Sequence, residues 1–149
     1  RVLRDAAITV MDAVPKSDRP WGETLLTPTR IYVRPILETI RRTPASGLAN
    51  ITGGGLRNLF RLKSGVEFRI TDPLPPQPEF LALQDLAKIE DREMFQTFNM
   101  GMGFAVIAPA KFVDRVVDSL KKLRARVVGE VARGEGVLLA DRNVRYKEY

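Results

Sequence analysis

The sequence predicts an α+β protein in which helices pack against a mixed β-sheet. Strand-like and helix-like segments alternate along most of its 149 residues. The last two strand candidates, residues 127–131 and 137–140, flank Gly134-Glu135-Gly136, which is typical of a β-hairpin. Because a hairpin makes its strands antiparallel, this final pair turns an otherwise alternating arrangement into a mixed sheet. The length predicts a single domain over residues 1–149.

The first segment reads as a helix, because residues 2–14 place apolar side chains on one face at helical spacing. No capping residue precedes this stripe, and the chain does not begin with Met. We therefore expect the chain to be a fragment of a longer protein whose N-terminal part has been removed. Residues 15–28 predict a loop, because they contain four residues that break regular structure: Pro15, Pro20, Gly22 and Pro28.

The middle of the chain contains most of the predicted strands and helices. Strands are predicted at residues 31–33, 48–51, 66–70 and 104–108. Helices are predicted at about 35–42, directly after the glycines at 53–55, and at 79–88, 91–98 and 111–123. Strict alternation at 66–70 predicts a strand with one exposed face. The uninterrupted apolar run at 104–108 predicts a central strand buried on both faces.

Composition removes several classes of chemistry. The chain has no cysteine and no histidine, so cysteine nucleophiles, histidine bases and the usual zinc sites are excluded within these residues. Its net charge of +6 favours anionic partners. The sign of the charge is compatible with nucleic acid, a nucleotide or a phosphorylated metabolite, and does not choose among them.

A run of three glycines, Gly53-Gly54-Gly55, lies between a predicted strand and a predicted helix. Backbone N–H groups in such a loop can hold an anion, and glycine lets a phosphate approach closely. The segment lacks the Lys-Ser/Thr of a P-loop and the spacing of a dinucleotide motif. A tight turn that needs positive φ explains the same glycines. Local pattern alone leaves both interpretations open.

Three other segments are candidates. Asn99–Gly103 contains Gly101 and Gly103, which fit either a close ligand approach or a β-bulge. Thr29-Arg30 could present a bidentate donor to a phosphate, or the arginine could face solvent. The acidic run at residues 90–93 suggests metal ligands, but carboxylates at a helix N-terminus explain it better. We predict no metal site in the chain.

Four segments in order along the chain carry a family resemblance: PTRIYVRP (28–35), NITGGGL (50–56), EMFQTFNMGMGF (93–104) and VVGEVARGEGV (127–137). Together they resemble the C-terminal domain of aminoimidazole ribonucleotide synthetase, also called phosphoribosylformylglycinamidine cyclo-ligase. The resemblance covers nearly the whole chain. It implies an enzyme of purine biosynthesis that uses ATP to phosphorylate the amide oxygen of formylglycinamidine ribonucleotide. The amidine nitrogen then closes the imidazole ring and expels phosphate.

The resemblance also implies partners and cofactors. An N-terminal domain, absent from this sequence, would supply most of the ATP and Mg²⁺ site and the homodimer contact, so we expect the chain alone to need no cofactor and to be inactive. A cytoplasmic location is expected, with no membrane partner. Catalytic residues are not assigned. The implied substrate- or phosphate-binding residues are Thr29, Arg30, Asn50, Thr52, Gly53, Gly54, Gly55, Asn99, Gly101 and Gly103.

One residue departs from the family pattern. The family usually has histidine before ITGGG, whereas this chain has Asn50. An amide can hydrogen-bond but cannot carry a proton charge near neutral pH, so an acid or base role is not expected there. Three alternatives stay open: a related ATP-using enzyme of the same architecture, a basic nucleic-acid-binding module, and a domain that binds a phosphometabolite. Only 7% of the residues are aromatic, which disfavours binding of nucleic acid by stacking.

Overall fold

The computed structural model describes all 149 residues. Its α-helices are α1 (Val2–Asp5), α2 (Trp21–Leu25), α3 (Val33–Ile40), α4 (Pro78–Ala87), α5 (Asp91–Thr97) and α6 (Val113–Ser119). Its strands are β1 (Gly47–Asn50), β2 (Val66–Ile70), β3 (Phe104–Ile107), β4 (Gly129–Arg133), β5 (Gly136–Leu139) and β6 (Val144–Tyr146). Short 3₁₀ helices occur at Gly55–Arg61, Ala110–Phe112, Lys121–Leu123 and Ala140–Arg142.

The strands form two sheets. The smaller is an antiparallel ribbon of β1 and β3, and the larger has the order β4-β2-β5-β6. In the larger sheet β2 is antiparallel to β4 and parallel to β5, so the sheet is mixed. The predicted α+β class is confirmed, although the strands are divided between two sheets.

The predicted C-terminal hairpin is wrong. Strands β4 and β5 run in opposite directions, but β2 lies between them and pairs with both. The link at Gly134–Gly136 therefore crosses the end of β2 instead of closing a two-residue turn. Its glycines have φ of 144° at Gly134 and 106° at Gly136, which allow this path. The partner of β5 on its other side is β6, a strand that the sequence patterns did not reveal.

The long N-terminal helix is also wrong, because α1 ends at Asp5. Ala7 has a left-handed conformation with φ of 54°, which interrupts the helix. The carboxylate of Asp12 then accepts hydrogen bonds from the backbone N–H and the hydroxyl of Thr9, at 2.6 and 2.9 Å. Such local bonds compete with helical ones, so they outweigh the apolar spacing. The predicted loop that follows contains the short helix α2.

The strand predicted at residues 31–33 is absent, because α3 already begins at Val33. The carbonyl of Tyr32 accepts the first helical hydrogen bond, from the N–H of Ile36 at 3.0 Å. Pro35 lies in the first turn of α3, where its missing N–H costs nothing. The ring of Tyr32 packs on that of Phe104 with centroids 5.3 Å apart, which explains the apolar character of the segment.

Two predictions of strand burial fail. Glu67, on the predicted exposed face of β2, is buried between the side chains of Arg69 and Arg145. Strand β3 pairs only with β1, and its residues are half-buried instead of enclosed on both faces. The single helix predicted at 111–123 is instead three pieces: α6 in the middle, with one short 3₁₀ helix before it and one after it. Helices α4 and α5 lie within one residue of their predicted bounds.

The main core lies between the larger sheet and the segments that face it. Buried side chains of β2, β5 and β6 pack there against α5 and the 3₁₀ helix Gly55–Arg61. A second cluster joins α3, α6 and the ribbon, and a third surrounds Trp21. No helix in the chain combines the length and the apolar character needed to cross a bilayer.

Candidate functional site

The antiparallel ribbon brings the two glycine-bearing segments together. Asn50, the last residue of β1, lies opposite Phe104, the first residue of β3. The next N–H along the chain, that of Ile51, donates to the carbonyl of Gly103 at 3.0 Å. Because the strands are antiparallel, the chain leaving β1 and the chain entering β3 are adjacent. The segments 50–55 and 99–103 therefore meet at one end of the ribbon.

A pocket of about 370 Å³ opens at this junction, and we call it the glycine-loop pocket. Six of the ten predicted site residues line it: Thr29, Asn50, Thr52, Gly53, Asn99 and Gly103. The structure thus assembles residues that are up to 74 positions apart in sequence, from Thr29 to Gly103. Their role in binding stays a prediction.

The three consecutive glycines differ in their surroundings. A side chain at Gly53 would meet no atom within 4 Å, so this position is open. Gly54 has φ of 102°, and a Cβ there would lie 3.1 Å from the hydroxyl of Tyr149. Gly55 has φ of 51° and is packed against the carbonyl of Phe95, which leaves no space for a Cβ. Gly54 and Gly55 therefore shape the turn, whereas Gly53 faces the open side.

The side chain of Asn58 holds this loop from beneath. Its amide nitrogen donates to the carbonyl of Gly55 at 2.9 Å and lies 3.4 Å from that of Gly53 and 3.5 Å from that of Thr52. Asn58 is only 2% exposed. An amide nitrogen is suited to this task because it can donate two hydrogen bonds. Sequence reasoning missed Asn58, although a polar residue three positions after a glycine run is a signal for such a brace.

The backbone of the loop presents unused donors. The N–H groups of Thr52, Gly53 and Gly54 donate no hydrogen bond within the protein. The N–H of Gly55 differs, because it donates to the carbonyl of Thr52 at 2.9 Å. Exposed, unpaired N–H groups in a glycine turn can bind an oxyanion. The available N–H donors therefore belong to residues 52–54, which begin one position before the glycine triplet at 53–55.

The second glycine segment forms the facing wall. Gly101 has φ of 92°, and a Cβ there would lie 2.5 Å from the carbonyl of Pro75, so this glycine serves packing. The side-chain oxygen of Asn99 accepts from the N–H of Gly101 at 3.1 Å and fixes the turn. The hydroxyl of Tyr32 lies directly against Gly103, where no Cβ could fit. Tyr32 lines the pocket and was missed, because its segment was read as a strand.

Arg30 does not line the glycine-loop pocket. One of its terminal nitrogens, Nη1, donates to the carbonyl of Leu123 at 3.3 Å, beyond the end of α6. This arginine therefore caps the 3₁₀ turn at Lys121–Leu123 instead of facing the pocket that Thr29 lines. Any contact between Arg30 and a phosphate would need the side chain to leave this carbonyl.

The remaining lining is apolar or uncharged. The rings of Phe80 and Phe98 form one side, with centroids 5.3 Å apart. No charged side chain lines the glycine-loop pocket. Asp91, one of the acidic residues that suggested a metal, accepts from Arg142 at 2.8 Å and from Gln84 at 2.7 Å. No group of three or more Asp or Glu side chains in the chain is arranged to hold a metal ion.

With this geometry in place, comparison with known proteins identifies the family. Residues 6–141 match the family described as AIR synthase related protein, C-terminal domain. The chain belongs to this family. The match includes the glycine-loop pocket and strands β1 to β5, and it ends before β6.

Relatives named phosphoribosylformylglycinamidine cyclo-ligase resemble the chain over most of its length. The protein of Methanopyrus kandleri is 44% identical over 131 residues, which cover 87% of this chain and 38% of the relative. The protein of Thermoplasma acidophilum is 35% identical over 150 residues, which cover 100% of this chain and 44% of the relative. The chain thus spans less than half the length of the curated relatives it matches.

A solved structure shows the same fold at greater distance. The hydrogenase maturation protein HypE of E. coli superposes with a TM-score of 0.58 at 19% sequence identity. The superposition covers 80% of this chain and 40% of HypE. At this identity the likeness concerns the fold alone.

Proposed function

We propose that the protein containing this chain is an ATP-dependent cyclo-ligase that converts formylglycinamidine ribonucleotide to aminoimidazole ribonucleotide. The observation that carries the proposal is the 35–44% identity to proteins of that name over 87–100% of the chain. In this proposal the chain is the substrate-side domain, and a companion N-terminal domain completes the enzyme. A cytoplasmic location and a homodimer belong to the same proposal.

The glycine-loop pocket is the proposed binding site for the ribonucleotide. The unpaired N–H groups of Thr52 and Gly53 line the pocket and can donate to a phosphate, with that of Gly54 beside them. The amides of Asn50 and Asn99 can orient polar atoms of the substrate. Chemistry of this kind needs positioning more than an embedded nucleophile, which agrees with a site that has no charged side chain.

Binding of ATP and Mg²⁺ is assigned to the companion domain. Mg²⁺ needs carboxylate oxygens or phosphates, and the chain brings no group of three carboxylates together. The glycine-loop pocket contributes hydroxyl, amide and backbone groups instead.

The surface of the N-terminal third supports a companion domain. Met11, Leu26 and Ile31 are 81%, 83% and 79% exposed, which is unusual for large apolar side chains. Contact with a further domain would remove this area from water. Hydrogen exchange at residues 10–37 should be slower in the intact protein than in the 149-residue chain. Equal exchange in both would argue against contact at this surface.

Substitution of Gly53 tests the substrate site in the intact protein. Gly53→Asp adds a negative charge at an open position, and Gly53→Asn is the uncharged control of the same shape. Repulsion of a bound phosphate should raise KM about tenfold for Asp over Asn, which corresponds to about 1.4 kcal/mol. The readout is ring-closed product formed with ATP and Mg²⁺, measured against substrate concentration. Equal KM values for the two variants would contradict phosphate binding at this loop, and absence of product in the unmodified protein would contradict the activity.

A further inference from the structure

A second concave site lies at the opposite edge of the glycine turn. Its walls come from the 3₁₀ helix Gly55–Arg61, from α5, and from β6 with the residues that follow it. The volume is about 560 Å³, larger than the glycine-loop pocket. We call it the basic cleft, and its lining includes Arg57, Arg92, Arg145, Tyr146, Lys147 and Tyr149.

The basic cleft concentrates positive charge. Four cationic side chains line it, those of Arg57, Arg92, Arg145 and Lys147, against the single carboxylate of Glu148. Arg145 is paired with the buried Glu67. The other three cations form no ion pair within the protein. Cations that converge without partners repel one another, so an anion between them would stabilise the arrangement.

The guanidinium groups are held in place by aromatic rings. Arg57 lies over the ring of Tyr149 at 5.4 Å, and Arg92 lies over the ring of Tyr146 at 5.2 Å. The Nε of Arg57 is buried and has no hydrogen-bond acceptor. A buried donor without an acceptor is costly, so a hydrogen-bond acceptor at this atom would stabilise the site. Arg57 forms no side-chain hydrogen bond within the protein and Arg92 forms one, through Nη1, so other N–H groups of both guanidinium groups can donate to an anion.

Hydrogen bonds fix the two long walls against each other. Arg92 donates through Nη1 to the carbonyl of Arg145 at 2.8 Å, and the hydroxyl of Tyr146 donates to the carbonyl of Arg92 at 2.6 Å. Burial raises the pKa of Tyr146 to about 12, although the charges of Arg92 and Arg57 act in the opposite direction. Tyr146 lines the cleft, and Arg92 lies over its ring. Fixed walls lower the entropy cost of binding.

We propose that the basic cleft is a second anion-binding site, which binds a phosphate group through Arg57, Arg92 and Lys147. Planar guanidinium groups match the geometry of phosphate oxygens, and Lys147 adds an exposed charge at the rim. The phosphate can be inorganic phosphate or a phosphate ester, because both present the same kind of oxygen atoms to the cationic side chains. The proposal is independent of the activity proposed above, since none of these residues lines the glycine-loop pocket.

The shape favours a compact ligand over a nucleic acid strand. The cations surround one cavity and do not form a stripe that could follow a phosphate backbone. The only rings that line the cleft are those of Tyr146 and Tyr149. Tyr146 is buried, and Tyr149 is covered on its face by Arg57 and Arg61, so successive bases would find no free platform.

The test uses the intact protein with ¹⁵N-labelled arginine, titrated at constant ionic strength with inorganic phosphate, with adenosine monophosphate and with a 12-nucleotide single strand. The Nε–H signals of Arg57 and Arg92, assigned by their loss in Arg57→Gln and Arg92→Gln, should shift and saturate with phosphate. Saturable binding of inorganic phosphate, with no binding of adenosine monophosphate, supports inorganic phosphate as the ligand. Tighter binding of adenosine monophosphate than of inorganic phosphate supports a phosphate ester. Binding of the oligonucleotide with steep salt dependence, and no saturation by phosphate, would overturn the proposal.

A matched pair of exposed lysines provides the control. Lys147→Gln and Lys121→Gln remove the same charge, but Lys121 lies after α6, away from the cleft. We expect Lys147→Gln to weaken phosphate binding about threefold to tenfold and Lys121→Gln to change it less than about twofold. Equal effects of the two variants would show that phosphate responds to the overall charge of the protein and not to a local site, and would overturn the proposal. Because both residues are exposed, neither variant should compromise folding.

Discussion

The glycine-loop pocket and the basic cleft lie on either side of the same short turn, yet they differ in chemistry. The pocket is lined by backbone, hydroxyl and amide groups and has no charged side chain. The cleft is lined by four cations held by two tyrosines. A neutral site of fixed dipoles suits a reacting substrate whose charges must be positioned, whereas a cationic site suits capture of an anion. The two proposed functions therefore need not compete for the same ligand.

The residues 54–58 connect the two sites. Gly53 faces the pocket, Arg57 faces the cleft, and the buried Asn58 braces the turn between them. Tyr149 contacts Gly54 from the cleft side. Substitutions in this turn can therefore separate residues that maintain the scaffold from residues that bind a ligand.

The largest expected effect is at Gly55. Gly55→Ala would place a Cβ against the carbonyl of Phe95 and force a positive φ on alanine. Strain and overpacking together should lower the free energy of unfolding by about 3 kcal/mol or more. Gly53→Ala is the control, with an expected change within about 0.5 kcal/mol, because nothing lies within 4 Å of its Cβ. Urea unfolding of both variants measures the difference, and equal midpoints would show that the turn is less constrained than its geometry indicates.

Asn58 should have the next largest effect. Asn58→Ala leaves the carbonyl of Gly55 without its side-chain donor, with a cost of about 2 kcal/mol measured by urea unfolding. Asn50→Ala is the matched control: Asn50 is exposed, its side chain forms no hydrogen bond, and we expect a change within about 0.5 kcal/mol. In the intact protein, Asn50→Ala should instead raise KM for the ribonucleotide. If Asn50→Ala destabilised the fold as much as Asn58→Ala, the separation of scaffold from binding surface would be wrong.

The two sites also differ in how far the sequence could predict them. The pocket residues occur in contiguous motifs, NITGGG and NMGMG, whose glycines are visible without a structure. The cleft combines Arg57, Arg92 and Lys147, and residues so far apart meet only after folding. The basic residues closest to Arg57 in sequence, Arg61 and Lys63, do not line the cleft. The alternation of strand-like and helix-like segments predicted the fold class, whereas no local pattern could predict which strands pair.

The pairing of β2 shows the same limit. Local patterns predicted strands at the positions of β2, β4 and β5, and a glycine link between the last two suggested a hairpin. Insertion of β2 between them depends on long-range contacts. Among these are the burial of Glu67 between Arg69 and Arg145 and the close approach of Gly129 to the carbonyl of Arg69. Because such contacts join residues that are far apart in the chain, a local sequence pattern cannot predict them.

Tyr146 gives a smaller effect with a defined pH dependence. Tyr146→Phe removes the hydrogen bond to the carbonyl of Arg92 and should cost about 1 kcal/mol at neutral pH. Because burial raises the pKa of Tyr146 to about 12, its contribution is complete below the unfolded pKa near 10. It is then lost as pH rises towards 12. Urea unfolding at pH 8, 10 and 11 should show a decline in stability that is weaker in Tyr146→Phe. The exposed Tyr149→Phe is the control, and an equal decline in Tyr146→Phe and the unmodified chain would contradict this assignment.

The smallest effect is expected at Asp91, whose ion pair with Arg142 ties the start of α5 to the segment before β6 and so joins two walls of the basic cleft. Burial alone would raise the pKa of Asp91, but hydrogen bonds from Arg142 and Gln84 outweigh it and lower the pKa. The stabilisation is therefore present above the unfolded pKa near 4 and is lost as pH falls through the folded value.

Because both partners of this ion pair are about a third exposed, Asp91→Asn should cost only about 0.5 kcal/mol at pH 7. Asp114→Asn is the matched control, since Asp114 also lies in the first turn of a helix but forms no ion pair. Urea unfolding at pH 7 and pH 3 should show the two variants differing at the higher pH and converging at the lower one. If they already agree at pH 7, the helix N-terminus and not the bond to Arg142 stabilises the carboxylate, and the two walls of the cleft are held by Arg92 and Tyr146 alone.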